Sequence, residues 1–458
     1  MLSKTSYALI HHMSGRCGAF IPESSNGGMR YVAIWDDLDD SHDQSVDSRI
    51  MNSYSTSCRE NDSTLRIGLL WHSLNSGNLG VAALTLANME LARQVARSMS
   101  LRPQFVVMGM RDGDGPTIGD SSTEVVIIDA ASMVRPGGFW RAVGDVDCVL
   151  DIGAGDSFAD IYGPKRFAFL WLTKVLALLR GKPLVFSPQT IGPFDKPLYR
   201  AAGAWTMHRA TSLVARDGRS LDVAKAMAPG ANAHLSVDVA FVLPYQSRRG
   251  EAGGQPLRIG VNASGLLFHQ AETGKNRFAL SYDYAAFTRQ LIAKLVSFGH
   301  QVHLISHATS NADPTDDDGR LADRLAKEFP DVVRVPEFAG PSEAKSYISS
   351  LDFLVAGRMH ACIGAYSAGV PVVPVAYSRK FSGLFGMLGH EWMVPVTGVD
   401  VDTSVAFVCS ALAQRGKIAN AQAEGMKQID AMLDVYRQEL RRTFALALTR
   451  QQVAETAA

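Results

Sequence analysis

The chain has 458 residues, 47% of them hydrophobic and 20% charged, with 45 Lys and Arg against 45 Asp and Glu. That length predicts two fairly large domains, and that composition excludes disorder over most of the chain. Zero net charge excludes a broad basic field for nucleic acid or acidic membrane, so an anionic ligand must be held by a few placed cations.

Residues 1–64 carry 5 basic and 9 acidic residues, including Asp36-Asp37-Leu38-Asp39-Asp40, and lack clear periodicity toward their end. They are expected to form a disordered N-terminal extension with one short strand at 31–35. The rest of the chain then holds 40 basic and 36 acidic residues. Five scattered cysteines (Cys17, Cys58, Cys148, Cys362, Cys409) show no CxxC or Cys/His spacing. They read as reduced thiols of a cytoplasmic protein, with no disulfide framework and no metal site.

From residue 65 strands and helices alternate. Strand-length apolar runs fall at 65–71, 104–108, 124–129, 148–152, 183–187 and 212–215, with helical periodicity at 82–99, 166–179 and 195–208. The run 167–179, interrupted by Thr173 and Lys174, reads as a buried helix too short to span a membrane. Near-continuous apolar strands between helices predict a parallel sheet covered on both faces. A Gly-, Arg- and Pro-containing break predicts a linker at 246–256, separating an N-terminal Rossmann-like domain (65–245) from a second one (257–400). Strands are expected there at 257–263, 301–306, 332–336, 353–356 and 371–376, and helices at 282–298, 315–328, 343–350 and 359–368. Residues 401–458 are expected to be helical, the last helix with one apolar stripe of Ile429, Leu433, Tyr436, Leu440, Phe444 and Leu448. The fold class is thus α/β, two doubly wound domains facing a cleft, with ligands beyond the carboxyl ends of the strands.

Each predicted strand hands its chemistry to the loop after it. The first loop, with Asn75, Gly77, Asn78 and Gly80, leads directly into a helix and either brings backbone N–H groups against an anion or is an ordinary turn. After 148–150 come Asp151, Gly153, Gly155, Asp156 and Asp160, three carboxylates within ten residues around glycines. Such density suits sugar hydroxyls, a catalytic proton or a metal, though one of the three can simply cap a helix. Gln189 ends the next strand, as a ligand donor or part of a constrained turn, and Arg216 stands where a phosphate or carboxylate would be received. Asp238 reads as structural. The second domain supplies Asn262, Ser264, His307, Glu337 and then Gly357-Arg358-Met359-His360-Ala361, which passes directly from strand to helix. Arginine plus histidine at a helix start suits an oxyanion and a nearby proton transfer. Arg379 and Lys380 add cations to the same rim or are solvated surface.

Gly153-Ala154-Gly155-Asp156-Ser157-Phe158, Pro188-Gln189-Thr190-Ile191-Gly192-Pro193-Phe194, Ala215-Arg216-Asp217, Asn262-Ala263-Ser264 and Gly357-Arg358-Met359-His360-Ala361, in this order, resemble the polysaccharide pyruvyl transferase family. Gly369-Val370-Pro371 and Tyr377-Ser378-Arg379-Lys380 also fit, and the resemblance covers roughly residues 65–395. One departure is Val81 after Asn78-Leu79-Gly80, where the family often has an aspartate.

The resemblance implies a fold similar to GT-B glycosyltransferases. It also implies transfer of a pyruvyl group from phosphoenolpyruvate, a co-substrate, to two hydroxyls of a sugar or lipid-linked oligosaccharide, without a cofactor. It places donor binding at Arg216, Arg358, Met359, His360 and Lys380. His360, Asp151 and Asp156 are the expected catalytic groups, and Asn78, Gly155, Gln189, Ser264, His307 and Glu337 the expected substrate contacts. It implies action in exopolysaccharide or cell-surface glycan biosynthesis, compatible with visits to the cytoplasmic membrane face. A GT-B glycosyltransferase using a nucleotide sugar and a non-catalytic glycan-binding assembly factor are the rival readings.

Overall fold

The computed structural model describes residues 19–25, 28–34, 63–111, 113, 123–155, 157–251, 254–311 and 313–457. The chain divides into two units, residues 1–61 and 62–458. The first contains an antiparallel hairpin of β1 (Ala19–Ser25) and β2 (Gly28–Ile34), so the single strand expected at 31–35 is one arm of a pair.

In the second unit the first sheet comprises β3 (Ser63–Leu70), β4 (Leu101–Gly109), β5 (Glu124–Ile127), β6 (Cys148–Asp151), the short β7 (Ser157–Phe158), β8 (Leu184–Ile191), β9 (Ser212–Ala215) and β10 (Ala233–Leu235). All pairings are parallel, in the order β10-β9-β8-β6-β3-β4-β5, with β7 beside β8. Its helices are α1 (Leu79–Ser98), α2 (Ala130–Val134), α3 (Phe139–Gly144), α4 (Pro164–Leu179), α5 (Pro197–Arg209) and α6 (Gly218–Met227).

The second sheet holds β11 (Arg258–Asn262), β12 (Gln301–Leu304), β13 (Val333–Arg334), β14 (Phe353–Ala356) and β15 (Val372–Pro374), parallel in the order β13-β12-β11-β14-β15. Around it lie α7 (Gly265–Glu272), α8 (Tyr284–Ser297), α9 (Asp318–Glu328), α10 (Pro341–Ile348), α11 (Met359–Ser367) and α12 (Arg379–Met387). The chain continues through α13 (Val401–Ala413) and α14 (Arg415–Ala457).

Both sheets are doubly wound, and each reverses strand order once, between β3 and β6 in one and between β11 and β14 in the other. Loops leaving adjacent strands diverge at such a point and open a crevice. β3 shows why both faces are covered: Leu65, Ile67 and Leu69 enter one apolar cluster and Leu70 another, all fully buried. The first of these clusters also takes in α1, α10, α11 and α14, joining the inner sides of the two halves.

In α4 the polar interruptions Thr173 and Lys174 are buried together with Phe167, Leu170 and Ala177, while Leu172 and Leu179 are 39% and 64% exposed. Lys174 is held inside by Asp151, 3.2 Å away, by the Leu170 carbonyl and by the rings of Phe158 and Phe186. The two helices of 401–458 pack on different layers. α13 packs on α8, whereas the α14 stripe from Ile429 to Phe444 is buried in the cluster shared with the first half. The linker is docked on α10: Gln246 and Arg248 N–H groups donate to Ser346 and Ser349, and Lys345 donates to the Phe241 and Leu243 carbonyls. Among the described residues no helix is long and apolar enough to cross a membrane.

Candidate active site

At the reversal point of the second sheet, Asn262 ends β11 and Arg358 follows β14. The buried Asn262 amide donates to the Ile305 carbonyl and to Asp318, and its oxygen accepts from the Arg358 N–H at 3.0 Å. Asp318, the first residue of α9, accepts from the N–H groups of Gly265, His307 and Ala308 and from Nε and Nη2 of Arg358. Nη2 also donates to Asp316 at 2.5 Å. Burial opposes the Arg358 charge, but the Asp318 and Asp316 carboxylates outweigh it and hold the guanidinium above its ordinary range.

At the end of β9 in the first half, Arg216 donates from Nε to Thr190 at 2.9 Å and from Nη1 to Asp238 at 2.8 Å. Asp238 is fully buried, and its other oxygen caps the turn Val239–Val242 by accepting from the Ala240 N–H. Burial alone would raise its pKa. The neighbouring His360 and Arg216 outweigh that and bring it down to about 2.

His360 joins the halves. It lies in the first turn of α11, with Nε2 3.7 Å from Asp238 Oδ2, beyond hydrogen-bond reach, and with no hydrogen-bond partner of its own. Its other nitrogen faces the start of α1, where a methyl group on Gly80 would come within 2.2 Å of Nδ1. Asn78 caps α1 by accepting from the Gly80 N–H, and the Leu79 N–H donates to the His307 carbonyl. The imidazole is thus packed against two helix N-termini on one side and a buried carboxylate on the other. Burial, helped by His360, presses His307 down to about 3, so that ring is neutral at pH 7.

These groups line a cavity of about 320 Å³ with Asn78, Arg166, Arg216, His307, Arg358, Met359, His360, Tyr377 and Lys380 on its wall. Burial lowers Lys380 to about 8. Ala154, held at φ +60° in the turn Gly153–Gly155, and Arg166, in the first turn of α4, border this cavity. Both also border a second, mostly apolar cavity of about 490 Å³ lined by Trp71, Met110, Tyr162, Phe169 and Leu170.

Of the residues expected from sequence, Asn78, Arg216, His307, Arg358, Met359, His360 and Lys380 meet on one wall. Asp151 does not: it is fully buried against Lys174 and Gln189, because a carboxylate inside an apolar layer needs its counter-charge beside it. Gln189 spends its amide on Asp151, while Ser264 is buried at the start of α7 with its hydroxyl unpartnered. Glu337 pairs with Arg334 near the surface, away from the cavity. Gly155 ends the turn beside Ala154, and Asp156 lies outside the described residues. Sequence reading missed three residues. Asp238 read as structural although it follows a strand as Arg216 does; Asp318 sat in the acidic run Asp316-Asp317-Asp318 ahead of a helix; Arg166 carried no motif signal.

The family model for polysaccharide pyruvyl transferase matches residues 39–379. The amylovoran biosynthesis protein AmsJ of Erwinia amylovora is 26% identical over 261 residues, which is 53% of this chain and 60% of AmsJ. Among solved structures, Anabaena Alr3699/HepE in complex with UDP and glucose superposes with a TM-score of 0.50 at 12% identity, covering 84% of this chain and 99% of that one. A structure described as a UDP-N-acetylglucosamine 2-epimerase from Listeria monocytogenes gives 0.50 at 8% identity, covering 79% and 91%. These likenesses show the two-domain, GT-B-like fold alone. With two doubly wound halves, Arg216 and Arg358-Met359-His360 on one cavity wall and the family match over most of its length, this chain belongs to the polysaccharide pyruvyl transferase family.

Proposed function

We propose that the chain moves the pyruvyl group of phosphoenolpyruvate onto two hydroxyls of one sugar, giving a cyclic ketal and phosphate, in the biosynthesis of an exopolysaccharide or cell-surface glycan. The observation that supports this best is His360, packed against two helix starts and facing Asp238, on the wall of a small cavity rich in guanidinium groups. The donor carries a phosphate and a carboxylate, and a cationic pocket of this size suits it.

In the reaction a proton adds to the donor's methylene carbon and one sugar hydroxyl bonds to the adjacent carbon, giving up its own proton. The C–O bond to phosphate then breaks, the second hydroxyl closes the ketal, and its proton leaves with the phosphate. Two hydroxyl protons thus supply one new C–H bond and one phosphate proton. His360 is the group that carries them, and Asp238 steadies its imidazolium form as a buried carboxylate does for a catalytic histidine. Lys380 and the N-termini of α11 and α12 receive the phosphate. Asp151, sealed beneath the site with Lys174, takes no part in proton transfer. The acceptor is a sugar or lipid-linked oligosaccharide, entering from the side of the first half.

The test is phosphate release from phosphoenolpyruvate in the presence of candidate sugars, with a nucleotide sugar as control donor and mass spectrometry of the product. A product heavier by a pyruvate ketal supports the reading; product from the nucleotide sugar alone refutes it. Near wild-type ketal formation by His360→Gln removes His360 from the proton-transfer role.

A further inference from the structure

Three guanidinium groups border the 320 Å³ cavity, and they are not equivalent. Arg216 is paired with Asp238, and Arg358 with Asp316 and Asp318. Arg166 has no carboxylate partner among the described residues. Its guanidinium lies over the Tyr162 ring at 4.8 Å, and its buried Nε has no hydrogen-bond partner. A guanidinium does not deprotonate in a protein, so Arg166 keeps its charge, half-buried and with no carboxylate beside it among the described residues. Such an arrangement is costly in the empty site and favourable once an anion arrives.

We infer that Arg166 joins the two motif arginines in holding the donor, and that it takes the donor's carboxylate. The inference rests on the donor assignment made above. The two ends of the donor are divided by geometry. In the second half, two helix N-termini and Lys380 face the cavity and suit the phosphate. Arg166 lies on the first half, on the wall shared with the apolar cavity of about 490 Å³. The carboxylate is the end that stays on the ketal carbon, so the group holding it belongs on the acceptor's side of the pocket. Arg216 and Arg358, each paired with aspartates, stand on the same wall and are held in place by those pairs.

The experiment compares the full-length wild-type chain with Arg166→Gln by calorimetric binding of phosphoenolpyruvate and of ethyl phosphate, which lacks the carboxylate. The expected result is about a tenfold to hundredfold loss of phosphoenolpyruvate affinity in the variant, ethyl phosphate binding unchanged, and a melting temperature equal to or above wild type. Arg166→Lys should recover part of the loss. Wild-type affinity in Arg166→Gln overturns the inference. So does equal loss of both ligands, which would place Arg166 on the phosphate, or a fall in melting temperature that accounts for the weaker binding. If the wild-type chain itself binds no phosphoenolpyruvate, the donor assignment fails, and the inference falls with it by a separately recognisable result.

Discussion

Gly80→Ala should leave the protein as stable as before and remove most of its turnover. Gly80 is the second residue of α1, at an ordinary helical φ, so alanine is acceptable to the backbone and by helix propensity favours the fold by up to about 1 kcal/mol. The added methyl, however, would lie 2.2 Å from His360 Nδ1, 2.8 Å from Cγ and 3.0 Å from Cε1. Non-bonded contact begins near 3.5 Å, so the imidazole must withdraw by roughly 1 Å. A displacement of that size at a reacting group costs about a hundredfold in rate. Phosphate release under saturating substrate gives kcat, and calorimetry gives Tm. Turnover within about threefold of wild type would refute the claim that His360 works from the position this helix start leaves open. A large drop in Tm would show that α1, and not the imidazole, yields to the methyl.

Asp238→Asn keeps a hydrogen-bond acceptor for Arg216 but removes the charge facing His360, so kcat should fall by about a hundredfold or more in the same assay while the chain stays folded. Tyr436→Phe should cost about 1–3 kcal/mol in chemical denaturation with unchanged turnover, because the buried hydroxyl bridges Asn88 and Ser187 at 2.7 and 2.8 Å far from the cavity. Burial lowers His72 to about 3, as it does His307. Both rings stay neutral in the fold but take up a proton near pH 6.5 once unfolded, so stability is full above that pH and is lost as pH falls toward 3. Each contributes a slope of about 1.4 kcal/mol per pH unit in that window. His72→Gln should remove one such increment from the slope of unfolding free energy between pH 6 and 4, and an unchanged slope would count against the burial argument.

Most strands and helices were legible because their apolar runs follow the period of a two-faced parallel sheet, and the strand-end rule led from them to Arg216, Arg358 and His360. What it did not convey is which charges neutralise one another. Asp151 ends one strand and Asp238 comes after another, and only the packed structure shows that one is sealed under the site with Lys174 while the other faces His360. Lys174 read as an interruption of an apolar helix, since a buried lysine makes sense only with its aspartate and two aromatic rings in view. Arg166 escaped notice because it belongs to no motif, and only the packed structure puts it on the wall of the cavity. The α14 stripe was visible as amphipathic, but its partner surface lay at the other end of the chain.

That last pairing bears on how the protein is made. Asn88 and Tyr436, bonded side chain to side chain, are 348 residues apart, and the inner layer of the first half includes Ile429, Leu433, Leu440 and Phe444. At about 5–20 residues per second, a ribosome delivers the first sheet about 10 to 40 seconds before it delivers the helix that covers it. Throughout that interval the nascent first half presents an open apolar trough, which makes it a natural client for chaperones. A stop codon between residues 381 and 429 would therefore release a chain whose N-terminal half aggregates, although every residue of the cationic cavity had already been translated.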